Sequence, residues 1–478
     1  MKKRFWIAIS SILVFVPLLI SLEGGHGFAP LEKWVAIYDG PDNGYDYASD
    51  WATDLAVDAK GYVYITGLSA YPYGEFSWTS RTATAVKYDT DGRRLWVAIY
   101  KGGGDSEPKD IAVDTAGNVY ITGSWSGEVA DIFTVDIFTI KYNADGKQLW
   151  VRKYNGPYKD KDKPRRSLDY GEAIAVDADG NVYVAGSSTD RQGYSDYVTI
   201  KYDRNGKSLW IKRFIGDISG DEYAESYARD IALDASGNVY VTGESARSGG
   251  PYVYATIKYN ANGDELWVNR YKAPNGNDSY AKAIALDSAG NAYVHGESEV
   301  SAIKADLVTI KIDPNGKQLW ANRFVGPAAY IYNHCSSCLA VDGAGNVAIV
   351  GTISPDYSWV KSDYVTVKYD TNGRRLWARR YNGPANKADN PTGLAMDGEG
   401  NVYVTGQSEK PDWNCEYATI KYNANGRLVW VKRYLGQDNA GHAYAKGIAV
   451  DSAGGVYVTG NSLHPNSYDD LDFTTIKY

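Results

Sequence analysis

Thirteen residues, Ile231-Ala-Leu-Asp-Ala-Ser-Gly-Asn-Val-Tyr-Val-Thr-Gly243, occur in eight recognisable copies along the chain. A sequence assembled from near-copies must repeat one local structure, and each unit has to bury its apolar faces against its neighbours. Residues 231–234 form a short apolar run, and 238–242 are rich in the β-branched and aromatic residues that suit a pleated, packed surface. Asp234 and Gly237 bracket a tight turn between them. The aspartate accepts hydrogen bonds from nearby backbone, and the glycine takes a positive φ without steric cost. The same Asp/Gly frame recurs at Asp58/Gly61, Asp114/Gly117, Asp177/Gly180, Asp287/Gly290, Asp342/Gly345, Asp397/Gly400 and Asp451/Gly454. An alanine stands two residues before each aspartate, from Ala56 to Ala449, which predicts a crowded strand.

A second hairpin follows each of the first, as in residues 254–267, where Asn-Gly is the strongest short-range turn signal. Each unit therefore has four strands, A to D. Lys87, Lys141, Lys201, Lys258, Lys311, Lys368, Lys421 and Lys477 mark strand C, and Trp34, Trp96, Trp150, Trp210, Trp267, Trp320, Trp377 and Trp430 mark strand D. Both series are expected to serve packing and strand pairing.

The two ends of the repeat array complement each other. Residues 34–38 read as a strand D with no A, B or C before it, and residues 473–478 read as a strand C with no D after it. A four-stranded unit repeated around an axis is a propeller blade, and closing the ring hides its edge strands. The expected fold is all-β: an eight-bladed β-propeller of four-stranded blades, spanning residues 30–478 as a single domain. The eighth blade takes A, B and C from the C-terminal side and D from residues 34–38.

The frame residues Ile-Ala-Val-Asp-x-x-Gly-Asn-Val-Tyr-Val-Thr-Gly and Thr-Ile-Lys-Tyr-Asp-x-x-Gly-x-x-Leu-Trp resemble the SBBP β-propeller repeat of secreted bacterial and archaeal proteins. That resemblance covers nearly the whole chain after its start. It implies no catalytic residues to carry over, and this chain differs from the family's seven blades in having eight copies.

Residues 1–29 have the charged start and apolar middle of a secretory signal, with cleavage after Gly25, Gly27 or Ala29, or retention as an anchor. An extracytoplasmic protein is expected: secreted, periplasmic or at the cell surface. The net charge of −8 offers no basic footprint for nucleic acid.

Alternating strand direction puts the short A–B and C–D turns on one face and the variable B–C and D–A connections on the other, where binding is expected. The repeat leaves Trp51, Trp78, Trp125, Trp359 and Trp413 unexplained, and with Tyr330 and Tyr332 they form the candidate ligand-binding set on an arc through blades one, two, six, seven and eight. The expected activity is binding of a protein or polysaccharide by a monomer, with no cofactor. Two alternatives are a propeller enzyme (lyase, hydrolase or quinone-dependent oxidoreductase) at the channel mouth and a cell-surface structural module.

Asp54, Asp110 and Asp230 begin strand A in their blades and are the acid/base candidates; the other blades have Ala, Gly or Cys there. Asp89/Asp91, Asp203/Asn205 and Asp313/Asn315 lack the further acidic ligands of a calcium loop and read as turns. His295 occupies a strand B position, while His334, His442 and His464 fall on loops of blades six and eight. Lys159, Lys161, Lys163, Arg165 and Arg166 form a basic loop interrupted by Asp160 and Asp162. No metal site is expected. Export permits a disulfide, either Cys415 with one of Cys335 and Cys338 or Cys335 with Cys338, leaving one thiol over.

Overall fold

The computed structural model describes residues 31–40, 49–73, 78–129, 132–157, 167–216, 224–247, 249–301, 304–326, 330–332, 338–354, 359–436, 441–464 and 470–478. The described chain forms eight antiparallel sheets, each a blade of a closed propeller. Blade one runs through strand A at Trp51–Val57, B at Val63–Tyr73, C at Trp78–Tyr88 and D at Arg94–Ile99. Blade four is typical of the rest, with A at Ala224–Leu233, B at Val239–Arg247, C at Val253–Tyr259 and D at Glu265–Tyr271. In blade six strand A is in two pieces, Tyr330–Tyr332 and Leu339–Val341, both paired with strand B.

Blade eight closes the ring as the end sequences predict. Its A, B and C strands are Ala443–Val450, Val456–Leu463 and Leu471–Lys477, and its D strand is Trp34–Tyr38. The register pairs Trp34 with Lys477 and Tyr38 with Phe473. In blade four the corresponding pairs are Trp267 with Lys258 and Tyr271 with Tyr254.

Among the described residues the core is not one mass but eight clusters, seven shared by two adjacent blades and one reaching from blade five through blade six to blade seven. One joins Tyr64, Ala83 and Ala85 of blade one to Ile111, Val119, Ile121 and Phe138 of blade two. Another joins Ala36, Tyr38, Tyr457 and Phe473 of blade eight to Leu55, Val63 and Val86 of blade one. Strand B supplies the middle of each cluster because both its faces are covered, and full burial of one of its Val or Ile side chains contributes roughly 1.5–3 kcal/mol. The alanines two residues before each turn aspartate are only partly buried and pack against these clusters from the inner strand, as Ala56, Ala112 and Ala232 do.

In seven blades the strand D tryptophan donates to a carbonyl in the C–D turn of the next blade and so locks the two together. Trp150 Nε1 and Lys141 Nζ both donate to the carbonyl of Arg204 in the C–D turn of blade three, at 3.1 and 3.0 Å. Gly206 of that turn has φ +80, and a Cβ there would meet Trp150 Cδ2 at 2.8 Å, so the turn accepts glycine and little else. The turn aspartate works on the other hairpin: Asp114 takes the N–H groups of Ala116 and Asn118 and the hydroxyl of the buried Tyr120. Asp89, Asp203 and Asp313 likewise accept backbone N–H groups within their own turns.

Candidate functional site at the channel mouth

The A strands of successive blades touch one another around the ring, so their residues line the central channel. All seven A strands described without a break carry a register shift near their start, between Ala52 and Asp54, Pro108 and Asp110, Gly171 and Ala173, Ala228 and Asp230, Ala281 and Ala283, Pro391 and Gly393, and Ala445 and Gly447. The extra residue in each bulge is Thr53, Lys109, Glu172, Arg229, Lys282, Thr392 or Lys446. Bulges of this kind re-aim side chains at rims and sites. They divide the mouth into three tiers.

The outer tier is aromatic. The residue two places before the bulge is Trp51, Tyr170, Tyr227, Tyr280 or Tyr444 in five blades, and Glu107 or Asn390 in two. Trp51 is 40% exposed and Tyr170 39%, and the other three are partly buried. In blades four and five Tyr252 extends this tier, its ring 6.4 Å from Tyr227 and 5.6 Å from Tyr280. Glu225 holds the Tyr252 hydroxyl at 2.9 Å, and Asp278 holds that of Tyr280 at 3.1 Å, so the rings are fixed in orientation.

The middle tier is charged. Burial pushes the Glu172 carboxyl up, against the opposing pull of Lys109 and Arg229 in the flanking blades. Arg229 is ion-paired with Glu244, and Lys282 with Glu297 at 3.6 Å. Lys446 has no acidic partner among the described residues, and burial alone lowers its ammonium.

The inner tier holds the three acid candidates. The Asp110 carboxylate accepts from Ile111 N and, across the blade boundary, Ile174 N, both at 2.7 Å; Asp230 does the same with Ile231 N at 2.7 Å and Ile284 N at 2.8 Å. Asp54 lies beside Asp110, and burial together with that negative neighbour raises its carboxyl well above the usual range. Burial lifts Asp230 to about 7. Asp54 and Asp110 thus sit side by side with both carboxyls raised by burial, and Asp110 clasps the backbone of the next blade through Ile174 N. Ala173, Ala283, Cys338, Gly393 and Gly447 fill this tier elsewhere.

The expected tryptophan set divides. Trp413 is 64% exposed on the B–C turn of blade seven, with Lys387 Nζ 3.3 Å from its ring centroid. It sits at φ +67, the position that Gly193 fills in the matching turn of blade three. Trp125 is a correction: it is 4% exposed, packed under Gly104 and Gly127 with Lys153 Nζ 3.1 Å from its ring, and cannot stack on a ligand. The side chains of Trp78, Trp359, Tyr330 and Tyr332 lie outside the described residues, as do His334, Cys335 and the basic loop of residues 158–166. Blades three to five carry no tryptophan outside the repeat, and Tyr170, Tyr227, Tyr252 and Tyr280 supply their rings instead.

His295 is fully buried, its Nδ1 3.0 Å from Val308 O and Thr309 Oγ1, and burial lowers its pKa to about 3; it is a packing residue. The backbone of His442 accepts from Leu463, which places it at the same end of blade eight as His464. Cys415 is a free thiol raised by burial to about 11, so the expected pairing of Cys415 with Cys335 or Cys338 is not made.

Residues 96–124, 165–191, 376–409 and 429–469 match the SBBP beta-propeller repeat model. Over 455 residues, 86% of this chain, the sequence is 24% identical to an uncharacterised WD repeat-containing protein of Acanthamoeba polyphaga mimivirus, of whose length the chain spans 29%. Among solved structures the fold is similar to the WD40 domain of SCAP from fission yeast, with a TM-score of 0.45 and 10% identity over 90% of this chain and 96% of that one. It is also similar to a polysaccharide lyase, an ulvan lyase, with a TM-score of 0.44 and 11% identity over 90% of this chain and 94% of that one. The described residues contain no helix long and apolar enough to cross a membrane.

Proposed function

We propose that this chain of SBBP β-propeller repeats is an exported, non-catalytic binding protein that takes a polysaccharide segment at the channel mouth. The observation that carries the reading is the outer aromatic tier, in which five blades put a ring at the same strand position. Flat rings with one accessible face stack on sugar faces, and each is amphipathic enough to remain half-exposed. Trp413 on the same face adds an exposed ring at a backbone conformation that costs a non-glycine residue about 1–2 kcal/mol, and such strain is retained where a side chain has work to do. A protein segment presenting apolar side chains fits the same tier.

Affinity electrophoresis against neutral and acidic polysaccharides tests the reading. One stacked ring contributes about 0.5–1.5 kcal/mol, so Trp51→Ala and Tyr280→Ala should each weaken binding by up to about tenfold while the fold is kept. Unchanged retardation in both variants would remove the polysaccharide reading. Retardation absent in the parent protein, with capture of a polypeptide that Trp51→Ala loses, would move the site to protein binding.

The enzyme reading has one observation in its favour, the adjacent carboxyls of Asp54 and Asp110 beneath the aromatic tier, both raised by burial. Cleavage of a retarded polysaccharide that stops in Asp54→Asn would establish it.

A further inference from the structure

The residue five before the strand C lysine is acidic in six blades, and in five of them strand D supplies a cation beside it. Asp196 pairs with Arg213 at 2.7 Å and Asp306 with Arg323 at 2.9 Å, while Asp363 pairs with Arg380 and Glu416 with Arg433. In blade two Lys153 stands in the same place near Asp136, where Asn155 and Thr134 also bind the carboxylate. Blade one has lost both partners together, with Thr82 for the acid and Ile99 for the base.

Blade eight breaks the rule. Its acid is Asp472, 2% exposed, and its D strand comes from the other end of the chain, where Ile37 occupies the arginine position opposite Thr474. Blade three shows the equivalence directly, Arg213 standing opposite Val198 two residues after Asp196. A buried carboxylate is costly unless paired, and in place of the arginine Asp472 faces the His464 imidazole. Asp472 Oδ1 has no hydrogen-bond partner among the described residues, and Oδ2 meets only His464 Nδ1 at 3.0 Å. Asp39, exposed and one residue beyond the N-terminal strand, completes a set in which one ligand atom from each of Asp39, His464 and Asp472 lies within 4.8 Å of the others.

We propose that Asp39, His464 and Asp472 bind a divalent first-row metal ion, of which zinc is the best fit, and that this ion replaces the missing arginine and clamps the N-terminal strand to the C-terminal blade. One imidazole and two carboxylates suit zinc or manganese better than calcium, whose sites are built from six to eight oxygens. Bonds of about 2.0–2.2 Å would draw the three side chains inward and leave a fourth position for water. Because Asp39 comes from one end of the propeller sequence and the other two from the far end, the ion would cross the ring's only non-covalent seam.

The test is isothermal titration of the purified, chelator-treated protein with zinc, followed by thermal melting with and without the metal. The expected result is one equivalent bound and a rise in Tm of a few degrees at about 100-fold excess over Kd. Asp39→Asn, at an exposed side chain, should weaken zinc binding at least tenfold and abolish the Tm rise while the metal-free Tm stays near that of the parent, and His464→Ala should weaken binding at least as much. Absence of binding, binding retained in both variants, or calcium binding in preference to zinc would each overturn the proposal. Asp472→Asn supplies a second arm. Removing a buried charge that lacks its arginine should leave metal-free stability equal or higher, whereas a strong loss would mean the carboxylate already has its counterion and the site is not one for metal.

Discussion

Trp34 and Lys477, which face each other across the last blade, donate to the same acceptor: the carbonyl oxygen of Thr90 in blade one, at 2.9 and 3.3 Å. This is the clasp that Trp150 and Lys141 make with Arg204, reproduced by residues from opposite ends of the propeller. Removal of residues 31–38 should therefore expose strand C of blade eight and lower the urea midpoint well beyond the effect of a surface change, with aggregation on warming. A truncated protein that melts with the parent would disprove closure through this strand.

Trp150 is 7% exposed, and its indole bridges blades two and three. Trp150→Ala should cost about 3–5 kcal/mol in urea denaturation, and Trp125→Ala, equally buried, should cost a similar amount without any specific effect on ligand. A binding defect in Trp125→Ala that exceeds its stability loss would contradict the packing role.

Trp413→Gly should separate stability from binding. Glycine accepts the positive φ that tryptophan does not, so the variant should be unchanged or up to about 1 kcal/mol more stable. Polysaccharide retardation should fall by up to about tenfold. Chemical denaturation and affinity electrophoresis on the same preparation read both effects.

The Asp230 carboxyl, raised from near 4 to about 7, binds its proton more tightly folded than unfolded. Its contribution to stability is complete below the unfolded pKa and is lost as pH rises through about 7. Melting of Asp230→Asn alongside the parent should show the difference in Tm moving in the variant's favour from pH 4 to pH 8. A difference that is flat across this range would mean that the carboxylate is ionised throughout.

Cys415 should be alkylated in denatured, unreduced protein, as mass spectrometry of its peptide will show. In the native state at pH 8 the reaction should be slow, because burial keeps the thiol protonated.

Blade number, strand order and ring closure were legible because they rest on residues that recur: Asp and Gly at each A–B turn, Trp on strand D, and the matching fragments at the two ends. The site was less legible. Attention to tryptophans outside the repeat picked out Trp413 and Trp51, which are exposed, but also Trp125, whose burial under Gly104 and Gly127 depends on long-range packing that no spacing encodes. It also passed over Tyr170, Tyr227, Tyr280 and Tyr444. Their signal was present, an aromatic two residues before the charged or polar position that becomes the bulge, yet without the bulge nothing marked that position as the channel rim. Asp54, Asp110 and Asp230 were found at the channel as expected, but their backbone partners in the next blade set them as staples, which only the three-dimensional register reveals.

The first propeller strand to leave the ribosome, Trp34–Tyr38, is among the last to find its partner, because Leu471–Lys477 is made at the far end of the array. Blades one to seven can form in order as they emerge, each from local hairpins, while this apolar strand stays unpaired throughout synthesis. The slowest folding step should then be a single long-range docking event, independent of how quickly the blades themselves assemble. The hazard during that wait is pairing between chains, with one molecule's leading strand completing another molecule's last blade.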